Sequence, residues 1–124
     1  MINEGTIFAT LAVTDIEAAK DFYGSKLGLR MLSENPGGVM YGSGSGKLFV
    51  YQTGLAGTNQ ATGATWEVSD VEAVVADLLG KGITFEHYNI PGAEQRGDIS
   101  VMGDMQAAWF KDPSGNVLCI SNTH

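Results

Sequence analysis

The strongest constraint on how this chain folds is that it carries one pattern twice. Thr14-Asp15-Ile16-Glu17 sets a hydroxyl three residues ahead of a glutamate, and Ser69-Asp70-Val71-Glu72 repeats the arrangement at an offset of 55 residues. This is the capping-box spacing, in which side chains satisfy the N–H groups that the first turn of a helix leaves without partners. A short apolar, β-prone stretch precedes each box, residues 6–13 and residues 64–68. A helical pattern follows each one: Ile16, Ala19, Phe22, Tyr23 and Leu27 in the first, Val71, Val74, Val75, Leu78 and Leu79 in the second. Gly28 and Gly82 end the two patterns. They stand 54 residues apart, which makes the second helix one residue shorter.

Residues 29–33, 39–42 and 48–53 read as three strands, separated by Asn35-Pro36-Gly37-Gly38 and Ser43-Gly44-Ser45-Gly46. A polar, glycine-containing linker covers 54–62, and residues 83–88 form the next strand. Residues 107–121 read as a β-hairpin. Ala108, Phe110, Leu118 and Ile120 alternate with other residues, and Asp112-Pro113-Ser114-Gly115-Asn116 makes the turn. Both halves therefore read βαβββ, and the chain reads as an internal duplication. The expected fold class is α+β: one domain of two tandem βαβββ modules, about 1–57 and about 58–124, whose curved mixed sheets enclose a cavity.

Strand alternation says which side chains line that cavity. Ala9, Leu11 and Val13, with Ala64, Trp66 and Val68, face the helices. Phe8, Thr10 and Ala12, with Gly63, Thr65 and Glu67, face the other way. The second row of the hairpin, Ala107, Trp109, Val117, Cys119 and Ser121, mixes an aromatic with small groups and suits a pocket wall. With 124 residues and 44% hydrophobic content the chain can bury one core. No apolar run approaches the roughly 20 residues that span a bilayer, and the N-terminus shows no secretory signal. Cys119 is the only cysteine, so there is no internal disulfide, and a cytoplasmic location is expected. A net charge of −7 argues against nucleic acid or an anionic membrane as partner.

V-T-D-I-E-A-A-K-D-F-Y-G-S-K-L-G-L, residues 13–29, resembles the first helix of the vicinal-oxygen-chelate superfamily, also called the glyoxalase/bleomycin-resistance/dioxygenase superfamily. A-W-F-K-D-P-S-G-N-V-L, residues 108–118, is similar to that family's last hairpin. The resemblance spans nearly the whole chain. It implies paired βαβββ modules, usually dimeric, whose enzyme members hold a divalent metal in the cavity. In metal-binding members a histidine or glutamine stands seven residues before the aspartate that opens each helix; here those positions hold Phe8 and Gly63. The glutamate that follows the D-P-x-G-N turn in the last strand is replaced by Cys119, and the strand at 48–53 offers no carboxylate or imidazole. His87 and the C-terminal His124 are the only histidines. The family's metal site is therefore expected to be absent, and no cofactor is expected.

Phe8, Phe49, Tyr51 and Trp109 are then the candidate aromatic cage, against the plainer alternative that they are ordinary core. Thr10 and Thr65 are candidate hydrogen-bonding groups, or partners of one another. Glu67 is the one inward carboxylate, a general base if buried and a solvated or ion-paired residue (with Arg30 or Lys111) if not. Cys119 has no basic neighbour in sequence to activate it and reads as a small buried hydrophobe more readily than as a nucleophile. His87 reads as a surface or hydrogen-bonded residue. Residues 89–104 read as a long flap over the cavity mouth, with Glu94 or Arg96 within reach of a ligand. The leading expectation is a metal-free homodimer that binds a small organic molecule. The alternatives are a lyase, isomerase or dioxygenase relative with a non-standard metal site or with Glu67 as base, and an interaction module that kept only the fold.

Overall fold

The computed structural model describes residues 1–122, so His124 lies outside them. After a short 3-10 turn at Ile2–Glu4, β1 (Ala9–Val13) leads into α1 (Ile16–Lys20), followed by β2 (Arg30–Asn35), β3 (Gly38–Ser43) and β4 (Gly46–Gln52). The second half supplies β5 (Thr62–Glu67), α2 (Val71–Gly80), β6 (Phe85–Glu86), β7 (Glu94–Arg96), β8 (Ile99–Met102), β9 (Met105–Lys111) and β10 (Val117–Ser121). The first sheet has the order β1-β4-β3-β2, with β1 parallel to β4 and the other pairs antiparallel. The second has the order β5-β10-β9-β8-β7, with β5 parallel to β10 and β6 paired to the far end of β9. The expected α+β architecture of two mixed sheets and two helices is present.

Alternation decides the core. Leu11, Val13, Val39, Tyr41, Leu48 and Val50 of the first sheet join Ala108, Phe110, Leu118 and Ile120 of the second in one buried cluster. Phe22, Tyr23, Val71, Val75 and Leu78 cover it from the helical side. The sheets meet along β1 and β5, where a Cβ on Gly63 would stand 2.8 Å from Leu11 Cδ2. Glycine at that point lets the two halves approach closely. The faces away from the helices are not shut against each other within one chain: Thr10, Thr65 and Glu67 are exposed, and Phe8 is 43% exposed. Within one chain this face stays open beside the line where β1 meets β5.

Three local expectations are corrected. The caps are Asp15 and Asp70, not the preceding hydroxyls: Asp15 Oδ1 accepts from the Glu17 and Ala18 amides at 3.0 and 3.2 Å, and Asp70 Oδ1 from the Ala73 amide at 3.0 Å. A carboxylate is the stronger acceptor for these N–H groups, and Thr14 is left to bond Ser114 instead. The first helix is α-helical only over Ile16–Lys20 and continues as a π-helical turn, Asp21–Lys26, closed by the Leu27 amide on Phe22 O. Its one extra residue before the closing glycine is taken up by that wider turn. The flap at 89–104 is not a plain loop. Gly97 and Gly103 turn it into hairpins in which β7 pairs β8 and β8 pairs β9.

Candidate functional site

On the open face of the first sheet, Thr10 pairs in register with Phe49 and Ala12 with Tyr51. The Phe49 and Tyr51 rings lie nearly parallel, 14° apart with centroids at 6.3 Å. On the second sheet Cys119 sits between Thr65 and Trp109, and Glu67 stands opposite Ser121. The eight residues singled out in the sequence therefore fall in two groups, one on or beside each sheet. Phe49 and Tyr51 belong to β4, Trp109 to β9, and Phe8 precedes β1. Glu67 makes no ion pair or hydrogen bond among the described residues. Neither suggested partner holds it, since Lys111 Nζ lies 3.8 Å from Glu86. The burial on which its role as a base depended is not met in the single chain.

Tyr88 is the residue that strand patterning missed. It follows β6, and its ring stands edge-on to Trp109, with centroids at 5.7 Å and planes at 80°. The Trp109 indole N–H donates to Thr62 Oγ1 at 3.2 Å. Tyr88 also parts two hollows. One, of about 310 Å³, is lined by His87, Tyr88, Asn89, Ile90, Ala93, Gln95 and Ser100. The other, of about 320 Å³, lies between linker residues 57–60, Lys111 and the hairpin turn. His87 Nε2 is 2.7 Å from Asp98 Oδ1, which bears out its reading as a hydrogen-bonded residue. Glu94 and Arg96 pair with each other at 3.0 Å on exposed β7.

Cys119 is 6% exposed. Burial pushes its thiol up from the ordinary 9.0 to about 11, partly offset by hydrogen bonds with the Thr65 side chain and the Ala108 backbone. A thiol held protonated at neutral pH is no nucleophile. The folded state prefers the neutral form, so this contribution to stability is complete below the unfolded thiol's pKa and is lost as pH rises through about 11. We expect urea unfolding to show an alkaline loss across that window that is smaller by about 2 kcal/mol in Cys119→Ala, the remainder belonging to the buried phenols Tyr23 and Tyr41. An equal loss in the variant would assign the alkaline effect to other groups.

The D-P-S-G-N turn anchors the open face from below. Asp112 is buried, and its Oδ1 accepts from the Ser114 and Asn116 amides at 2.9 and 2.8 Å. Its Oδ2 accepts from the Tyr23 hydroxyl at 2.6 Å and from Asn116 Nδ2 at 2.8 Å. Asn116 Nδ2 also reaches Ala12 O on β1 at 2.7 Å, tying the second half to the first. Burial, reinforced by the charge and hydrogen bond of Asp112, pushes the Tyr23 phenol far up, so it remains a donor.

The donor set does not fit a divalent metal at the family positions. Phe8, Gly63 and Cys119 supply no imidazole or carboxylate there, and among the described residues no three His, Cys, Asp or Glu side chains come together to hold an ion. Such sites need about three or four converging donors.

Two mixed sheets joined along β1 and β5, with helices on one side and an open face on the other, define the class of protein. The chain belongs to the Glyoxalase/Bleomycin resistance protein/Dioxygenase superfamily, whose model matches residues 7–120. Among proteins of curated function none matches it. Solved structures share the fold. A glyoxalase family protein from Enterococcus faecalis superposes with a TM-score of 0.73 at 21% identity, covering 98% of this chain and 100% of that one. An antibiotic binding protein from Streptomyces sp. CB03234 gives 0.67 at 22% identity, covering 97% and 98%. A glyoxalase/bleomycin resistance protein from the same organism gives 0.64 at 24% identity, covering 94% and 100%. No helix among the described residues is long and apolar enough to cross a membrane.

Proposed function

We propose that this protein is a metal-free, cytoplasmic, homodimeric binder of a small planar organic molecule, and that its two halves descend from one duplicated unit. The observation that carries the reading is the exchange at the family's metal-donor positions, which hold Phe8, Gly63 and Cys119. Phe8, Phe49, Tyr51 and Trp109 offer stacking surface, Thr10 and Thr65 offer hydroxyls, and Glu67 offers an unpaired carboxylate. Cys119 packs beneath the face as wall, not as reagent. A second chain over the exposed face would supply the closure one chain lacks. A family neighbour described as an antibiotic binding protein supports the reading in kind.

The unpaired Glu67 and the net charge of −7 favour a cationic ligand. Stacking and apolar burial supply most of the affinity, and a desolvated cation over a ring adds about 2 kcal/mol. We expect a screen of planar compounds by thermal shift and tryptophan fluorescence to yield hits that weaken in Trp109→Leu. Glu67→Gln should weaken cationic hits and spare neutral ones. Hits indifferent to both substitutions would overturn the site. Elemental analysis after exposure to zinc, nickel, manganese and iron(II) should find no stoichiometric metal. One tightly held equivalent per chain, lost in Glu67→Gln, would favour the enzyme reading with a non-standard metal site instead.

A further inference from the structure

We propose that the hollow at the end of β6 is a second site, for a planar molecule carrying an acidic hydroxyl such as a phenol or enol, with His87 as the acceptor of its proton. The hollow of about 310 Å³ matches the lower range of small-molecule sites. Its rim joins two segments, because His87 leaves β6 and Asp98 sits in the β7–β8 turn, yet His87 Nε2 and Asp98 Oδ1 meet at 2.7 Å. An ionised carboxylate only accepts, so Nε2 carries the hydrogen and the neutral ring keeps its lone pair on Nδ1. Two of the other polar groups are already engaged: Ser100 Oγ donates to Gln95 Oε1 at 3.2 Å, and Gln95 Nε2 donates to Gly97 O at 2.8 Å. Nδ1 is then the basic acceptor of the hollow, beside the Tyr88 ring and the neutral Asn89 amide. The surrounding charges are Glu86, paired with Lys111, and the Glu94–Arg96 pair on β7.

In the bound state the hydroxyl O–H breaks and an N–H forms at His87 Nδ1. The imidazolium stays held by Asp98, and the ligand remains against it as its oxyanion, so the charge created on the ring is matched on the ligand. This site does not depend on the open-face reading; Tyr88 alone borders both.

The probe is 4-nitrophenol, whose anion absorbs apart from its neutral form. In buffer where free 4-nitrophenol is still neutral, we expect binding to generate the anion's absorbance. His87→Gln should lower affinity about tenfold or more and remove that absorbance. His87 is 52% exposed, so the variant should keep its melting temperature. The ring nitrogen shifts of His87 in the unaltered protein report the same proton transfer without any substitution. Amide shifts should centre on residues 87–100. No binding, binding without the anion, an unchanged signal in His87→Gln, or shifts centred on β4 would each overturn the assignment.

Discussion

Asp112→Ala should lower stability by about 3–5 kcal/mol and the melting temperature by roughly 10–20 °C. The carboxylate is 5% exposed and accepts four hydrogen bonds, two from backbone amides, one from Asn116 and one from Tyr23. Alanine leaves all four donors unmatched where little water reaches, and an unsatisfied buried donor costs about 1–3 kcal/mol. Partial relaxation of the turn keeps the total below the sum of these. Tyr23→Phe removes only the charge-assisted bond and should cost about 1.5–3 kcal/mol. In the double variant Tyr23→Phe/Asp112→Ala the two losses should fall short of adding, since both delete the same contact. Denaturant melts of the three variants measure this. An Asp112→Ala loss under about 1 kcal/mol would show that the turn is held by its backbone alone.

The consequence reaches the open face, because the same turn carries Asn116, whose amide grips Ala12 O, and Ser114, which binds the Thr14 amide. Ala12 and Thr14 bracket the end of β1, the strand that carries Thr10. A looser turn therefore loosens the line on which the two sheets meet.

Much of this was legible in sequence, and the reason is periodicity. Strand alternation placed Leu11 and Val13 toward the helices, where they are buried, and Thr10 on the opposite face, where it is exposed. Helical spacing and the glycine stops located α1 and α2. Contacts between residues distant in sequence have no period. Asp112 read as the first residue of a turn, and nothing local announced Tyr23, 89 residues away, as its donor. The same holds for Tyr88, outside every apolar alternation yet edge-on to Trp109. The hairpin at 94–102 was hidden differently: its strands are short and β7 is wholly exposed, so no apolar alternation marks that strand. Alternation tells which face a residue takes, not what covers that face.

Trp109 and Phe110 are neighbours on β9, and substituting each should separate what holds the fold from what faces a ligand. Phe110 is 1% exposed and packs against Phe85, Phe22 and Trp66, with ring centroids at 5.6, 6.2 and 6.4 Å. It pairs across the ladder with Leu118 and Phe85, so it bridges both neighbouring strands on the helix side. Phe110→Ala opens a void among rings drawn from three elements that cannot all collapse into it. The expected cost is about 3–5 kcal/mol. Trp109 is only half-buried, and its recorded contacts are the Tyr88 edge and the hydrogen bond to Thr62. Trp109→Leu keeps an apolar side chain on the strand and should cost about 1 kcal/mol. Urea unfolding of both variants, with near-unchanged slopes, tests the contrast. Comparable losses at the two positions would mean that the open face is packed as a second core, and the aromatic row would then be structural.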